Sequence, residues 1–62
     1  MYGLAMVWVD NGEVFDWCND YRRFNSLGLA LACFDSFKGH GTSAWNWAIV
    51  NQVTGEIIKV LD

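Results

Sequence analysis

The stretch Met6–Trp17, MVWVDNGEVFDW, decides the fold. In its middle the dipeptide Asn11-Gly12 separates two apolar runs, and both of its positions tolerate positive φ, which favours a two-residue hairpin turn. The predicted pairs are Asp10 with Glu13, Val9 with Val14, Trp8 with Phe15, Val7 with Asp16 and Met6 with Trp17. The sequence therefore predicts an antiparallel β-hairpin at this position.

Alternation along the two strands divides the side chains of this hairpin between two faces. The face with the larger side chains carries Leu4, Met6, Trp8, Phe15 and Trp17. The other face carries Ala5, Val7, Val9, Val14, Asp16 and Cys18. We predict that this second face points outward, because its side chains are smaller and include one charge. The reverse assignment would expose Met6, Trp8, Phe15 and Trp17.

A helix is predicted from Ser26 to Lys38. The Ser26 side chain can cap the first free N–H groups, Lys38 suits the negative end of the helix dipole, and Gly39 can adopt the left-handed conformation that ends a helix. An apolar stripe at three- and four-residue steps consists of Leu27, Ala30, Leu31, Phe34 and Phe37.

A second hairpin follows the helix. Residues 43–50 alternate in the period of a strand, and residues 51–56 resemble a type I turn in which Gly55 supplies positive φ. Pairing Val50 with Ile57 puts Trp45, Trp47, Ile49, Ile58 and Val60 on the inner face. It puts Asn46, Ala48, Val50, Ile57, Lys59 and Leu61 on the outer face. The predicted architecture is α+β, ββαββ, a four-stranded antiparallel sheet with one helix packed on one face, in a single domain spanning residues 1–62.

Size and composition limit the location of the protein. Hydrophobic residues make up 53% of the 62 residues and aromatic residues 16%, so large rings supply the burial that a short chain otherwise lacks. No stretch of about 18 apolar residues occurs, and the N-terminus does not resemble a signal peptide. Only two cysteines are present, Cys18 and Cys33, and we expect them to be free thiols. A cytoplasmic protein without a membrane segment is expected.

Charge disfavours nucleic acid as a partner. The net charge is -3, and the basic residues are scattered except for Arg22-Arg23, whereas a phosphate-binding surface needs a basic face. Because Tyr21 and Phe24 flank the two arginines, a single-stranded nucleic-acid binder remains the less favoured alternative.

The residues that could support catalysis or metal binding are few. His40 lies in a glycine-rich loop without an identifiable orienting partner, and Cys18, Cys33 and His40 lack the short paired spacings of zinc sites. The pair Asp16 and Asp35 would need a cleft that a domain of this size hardly provides. We expect no catalytic, cofactor or metal site.

The predicted outer face of the sheet is apolar where a solvated face is normally polar. An exposed apolar surface rimmed by charge marks a protein contact. The predicted partner-binding residues are Val7, Val9, Glu13, Val14, Asp16, Asn46, Val50, Ile57 and Lys59. We interpret the chain as a non-catalytic protein-binding module. One alternative is a homodimer formed through the same face, and another is that the sheet curls and hides this surface within the monomer, against loops or the Tyr21 segment.

The order of the Asn11-Gly12 hairpin, the helix Ser26–Lys38 and the turn Thr54-Gly55-Glu56 resembles that of small inhibitors encoded by bacteriophages. These include anti-CRISPR proteins and inhibitors of host RNA polymerase. The resemblance implies an inhibitor without an active site that occludes a functional surface of a host protein, such as a CRISPR effector, in the host cytoplasm. It covers size, acidity and layout, and it carries over no functional residue.

Overall fold

Two hairpins meet side by side to form the sheet of this protein. The computed structural model describes all residues 1–62. Its elements are β1 (Tyr2–Trp8), β2 (Val14–Trp17), α1 (Leu27–Phe34), a one-turn 3-10 helix (Asp35–Phe37), β3 (Trp45–Asn51) and β4 (Ile57–Leu61). The strand order is β2-β1-β3-β4, and every neighbouring pair is antiparallel. The predicted ββαββ architecture is confirmed.

Strands β1 and β3 form the centre of the sheet and pair over their full length, from Tyr2 opposite Asn51 to Trp8 opposite Trp45. Side chains at alternate positions point to opposite faces. We call the face covered by α1 the helix-side face and the opposite one the outer face. Leu4 and Ile49 lie on the helix-side face, whereas Ala5 and Ala48 lie on the outer face.

Both hairpins close with the same turn. In the first, the N–H of Trp8 donates to the carbonyl of Glu13 (3.0 Å) and the N–H of Gly12 donates to the carbonyl of Trp8 (2.8 Å). In the second, Asn51 occupies the position of Trp8. Its N–H donates to the carbonyl of Glu56 (2.8 Å), and its carbonyl accepts from the N–H of Gly55 (2.7 Å). The φ angles of Gly12 and Gly55 are 69° and 77°. The positive φ predicted for Gly55 is confirmed.

The predicted two-residue turn at Asn11-Gly12 is wrong. That turn needs positive φ at both residues, and no residue other than glycine has positive φ in this chain. The side chain of Asn11 instead accepts a hydrogen bond from the N–H of Glu13 (2.9 Å). The loop is therefore longer than predicted, and Val14 pairs with Val7 and not with Val9.

Each edge strand contains one register shift of the β-bulge kind, in β2 opposite Met6/Val7 and in β4 opposite Ile49/Val50. A bulge adds one residue to one strand, so every side chain beyond it changes face. Bulges also twist an exposed edge and hinder its pairing with another chain. The predicted pairing of Val50 with Ile57 is confirmed, but beyond it Ile49 lies opposite Lys59.

The helix begins where predicted, but the predicted end at Lys38 is wrong, because α1 ends at Phe34 and Lys38 is already extended. The Oγ of Ser26 accepts a hydrogen bond from the N–H of Leu29 (3.5 Å). After Phe34 the chain tightens into the 3-10 helix, and Gly39 follows with a φ of 78°. The helix is eight residues long, and none in the chain combines the length and apolar character needed to cross a membrane.

The main core lies between α1 and the helix-side face. Ala30 and Phe34 on the predicted stripe are buried together with Leu4, Ile49 and Leu61. The prediction that Leu61 faces outward and Val60 inward is wrong, because the bulge in β4 exchanges their faces. Leu61 thereby adds a large apolar side chain to the core under the helix.

Candidate protein-binding surface

The centre of the outer face is sealed inside the monomer. Its four central side chains, Ala5, Val7, Ala48 and Val50, are at most 2% exposed. Half-buried side chains from the two edge strands pack against them, namely Val14, Trp17, Ile57 and Val60. The sheet therefore forms a second apolar cluster without a covering helix, because small residues in the central strands allow larger edge residues to close over them.

This burial corrects part of the predicted binding surface. Val7 and Val50 are buried and are not available to a partner. Val14, Asn46 and Ile57 are half-buried. The centre of the outer face is therefore hidden within the monomer, as in the second alternative, but by side chains of the edge strands and not by loops or the Tyr21 segment.

Two charged residues predicted on the outer face lie on the other side of the sheet. Asp16 pairs with Met6, and Lys59 pairs with Ile49. The bulges in β2 and β4 cause both changes, since each shifts the alternation by one residue. Trp17 changes face for the same reason: it pairs with Ala5 on the outer face, against the prediction that it faces the helix. Cys18 also moves, and it packs against the helix-side core.

Aromatic rings form a continuous series along the helix-side face. The series contains eight of the ten aromatic residues, in the order Trp8, Phe15, Trp45, Trp47, Phe37, Tyr21, Phe34 and Phe24. Most neighbouring rings meet edge to face, which is the preferred arrangement of ring pairs. One part of the series is buried under α1, where Phe34 is fully enclosed.

The other end of the series reaches the surface at Trp8 and Phe15, which we call the aromatic end. These two rings stack with centroids 3.8 Å apart and planes inclined by 17°. Trp8 is 40% exposed and Phe15 is 38% exposed. The ring of Trp45 meets that of Phe15 edge to face, with the ring centroids 6.4 Å apart. The aromatic end is thus a rigid, partly exposed pair of large apolar rings.

Two carboxylates lie on the same face of the hairpin as the aromatic end. Glu13 pairs with Trp8 across the closing hydrogen bond of the turn, and Asp16 is adjacent to Phe15 and pairs with Met6. Directly opposed residues in an antiparallel pair share a face, so Glu13 and Asp16 lie on the face of Trp8. Two of the predicted binding residues, the exposed Glu13 and Asp16, therefore lie beside a surface that was predicted to be buried, and the exposed Val9 follows Trp8 at the start of the turn.

The two arginines lie away from the aromatic end, and each has a separate contact within its own segment. The guanidinium of Arg22 lies 5.4 Å from the centroid of the Phe24 ring, and Arg23 donates to the side chain of Asn19 at 3.5 Å. A cation over a ring is a stabilising contact. Arg22 therefore packs against a ring of its own segment.

The loop that contains His40 has a structural role. His40 is exposed, and its N–H donates to the carbonyl of Phe37 (3.1 Å). A Cβ on Gly41 would lie 2.8 Å from the carbonyl oxygen of Trp45 and would also collide with the side chain of Asn46. Gly41 therefore permits the close approach of this loop to the start of β3.

Cys18 and Cys33 are free thiols. No group of three or more His, Cys, Asp and Glu side chains is arranged to hold a metal ion, and the molecule contains no pocket.

Sequence analysis did not identify Trp8 and Phe15 as an exposed pair on the helix-side face. The two rings were expected inside because their side chains are large, and only the reverse assignment of faces exposed them. In the structure α1 has eight residues and spans about 12 Å, whereas the seven residues of β1 span about 23 Å. One end of β1 therefore remains open.

Comparison of the chain with known protein families, curated proteins and solved structures finds no match.

Proposed function

We propose that this chain is a non-catalytic protein-binding module that contacts its partner through the aromatic end. The observation that carries the proposal is the stacked pair Trp8 and Phe15, each more than one third exposed. Large aromatic side chains are enriched among the residues that dominate binding energy in protein interfaces.

The size of the protein strengthens this argument. A chain of 62 residues buries only about 60% of its unfolded surface, so it depends on every large side chain for stability. Leaving a Trp and a Phe partly in water forfeits part of that stabilisation. A partner that covers both rings recovers it, and the stacking already restricts their motion, so that less side-chain entropy is lost on binding.

The mode of action that fits this surface is occlusion of a functional site on the partner. It is the mode implied by the resemblance to small inhibitors encoded by bacteriophages, and it requires only a complementary surface. We place its action in the cytoplasm, against a host protein or protein complex. The support is the likeness in size and layout together with the exposed rings.

A capture experiment with matched variants tests the proposal. In the test variant, Trp8→Ser and Phe15→Ser remove the aromatic end. In the control variant, Leu29→Gln and Val53→Ser remove two apolar side chains that are 60% and 81% exposed elsewhere. We expect partner proteins from the cell of origin to bind the wild type and the control and to lose binding to the test variant by at least about tenfold.

Folding must be verified in parallel, because Trp8 and Phe15 also stabilise the sheet. Two-dimensional NMR spectra with native dispersion for both variants establish that the fold is intact. Retention of the same partners by the folded test variant would contradict the proposal.

A second candidate function is a homodimer formed through the outer face. The observation that favours it is the lack of charge: no residue of the four strands whose side chain lies on this face is charged, since Asp16 and Lys59 lie on the other side. Homodimer interfaces are more apolar than other interfaces, and a two-fold axis brings the same patch from each copy together.

Sedimentation velocity decides this candidate. A homodimer through the outer face should sediment at twice the monomer mass at tens of micromolar, and Val60→Lys should return it to a monomer because a charge enters the half-buried rim. A wild-type monomer over this concentration range would exclude a stable dimer. The matched change Val53→Lys, at an exposed turn, should leave the mass unchanged.

A further inference from the structure

We propose that the partner segment covering the aromatic end is cationic, with arginine or lysine side chains beside its apolar contacts. This inference rests on the proposed function and adds the chemistry of the partner. It comes from the charges of the hairpin that presents Trp8 and Phe15.

The charges of the hairpin that presents the aromatic end have a single sign. Three exposed carboxylates, Asp10, Glu13 and Asp16, lie within the hairpin that presents the rings, and all four Lys and Arg residues lie outside β1, β2 and the turn between them. Glu13 and Asp16 share the face of Trp8, and Asp10 lies in the turn. A partner that covers the rings therefore meets these carboxylates on the same hairpin.

These carboxylates are free to bind a cation. Among them only Asp16 accepts a hydrogen bond within the chain, from the N–H of its neighbour Trp17 (2.9 Å). A carboxylate accepts bidentate hydrogen bonds from a guanidinium, and the face of a Trp or Phe ring attracts a guanidinium or ammonium ion. An arginine can use both contacts at once, because its planar group stacks on a ring while its N–H groups point sideways to the acids.

The second hairpin provides an internal comparison. It has the same turn, with Glu56 in the position of Glu13, but the residue in the position of Trp8 is Asn51. Its exposed apolar side chain at the turn is Val53, which has no ring for a cation. Rings and carboxylates are therefore combined in the first hairpin and separated in the second.

NMR titration with three blocked peptides tests the inference. The peptides alternate Gly with Arg, with Gln or with Glu. Each tryptophan gives one indole N–H signal, so Trp8 reports on the aromatic end while Trp17, on the outer face, serves as a control within the same molecule. We expect the arginine peptide to shift the signal of Trp8 and not that of Trp17. Its affinity should exceed that of the glutamine peptide by at least about tenfold at low salt and fall as salt screens the charges.

Charge-neutral variants separate the electrostatic contribution from the apolar one. The triple variant Asp10→Asn, Glu13→Gln, Asp16→Asn should weaken binding of the arginine peptide by at least about fivefold. The matched variant Glu56→Gln should leave it unchanged, because it removes a carboxylate from the same turn position in the other hairpin.

The outcomes distinguish this inference from the proposed function. Equal shifts of Trp8 with the arginine and glutamine peptides would overturn the cationic partner while the capture experiment still supports protein binding. An unchanged affinity in the triple variant would overturn it as well, as would a shift of Trp17 in place of Trp8. If the capture experiment fails while the arginine peptide binds at Trp8, the proposed function fails and the cation-binding surface stands.

Discussion

Replacing Phe34 with alanine should unfold a large fraction of the molecules at 25 °C. Phe34 is fully buried between α1 and the sheet, and its ring contacts those of Tyr21, Phe24 and Phe37. Truncation of a buried Phe to Ala destabilises proteins by about 3–5 kcal/mol. At about 0.05–0.15 kcal/mol per residue, a chain of this length has a total stability of only about 3–9 kcal/mol.

Urea denaturation followed by circular dichroism measures this effect. The matched control is Phe15→Ala, which removes the same side chain from a site that is 38% exposed. It should lower the free energy of unfolding by only about 1–2 kcal/mol, which includes the lost stacking with Trp8. Equal losses in the two variants would show that the core is not centred on Phe34.

Replacing Val7 with aspartate should also abolish the fold at neutral pH. Val7 lies in the sealed centre of the outer face and is 2% exposed. No basic residue lies among the side chains that pack there, so the new carboxylate would be buried without a partner, which destabilises by several kcal/mol. The matched control is Val9→Asp at a site that is 52% exposed, where a change within about 0.5 kcal/mol is expected.

The effect of Val7→Asp should depend on pH in a defined direction. Burial raises the pKa of the introduced carboxyl in the folded state, so the unfolded state releases its proton first as the pH rises. The loss of stability therefore grows above pH ~3.9, the ordinary value for Asp, and shrinks below it. Unfolding curves of both variants between about pH 3 and pH 7 test this. If Val7→Asp is as stable as Val9→Asp at neutral pH, the outer face is open and remains a docking surface.

The comparison of Val7→Asp with Val9→Asp also distinguishes the two candidate binding surfaces, the outer face and the aromatic end. If the centre of the outer face is closed, a second copy of the chain can contact only its half-buried rim. The aromatic end is accessible in the monomer. The prediction of a protein contact came from apolar residues on a sheet with one helix. In the structure the centre of the outer face is buried, and the exposed stacked pair of rings lies on the helix-side face, at Trp8 and Phe15.

Local interactions explain why much of the fold was predictable. Ser26 caps the helix through a bond to a residue three positions away, and Gly39 and Gly55 adopt positive φ within single turns. The apolar stripe of α1 follows from the helical repeat alone. Because each of these features depends on residues close together in the chain, the pattern of amino acids is enough to identify it.

The binding residues were harder to predict because the face on which each side chain lies depends on the exact register of its strand. One extra residue in β2 and one in β4 move Asp16, Trp17, Lys59 and Leu61 to the opposite faces from those expected. Nothing in the alternation of residues marks where a bulge occurs, since it arises from packing between strands. Val9, Glu13 and Asp16 remain candidates, but beside rings that were expected to be buried.

The order of residues was enough to establish the class of fold, the two hairpins, the start of the helix and its buried stripe. Packing in three dimensions set the strand order, the end of α1, the position of the bulges, the closure of the outer face and the exposure of the aromatic end. The first set depends on backbone preferences and periodicity within short segments. The second depends on how side chains from distant segments fit together, and a shift of one residue in a strand reverses which of them meet water.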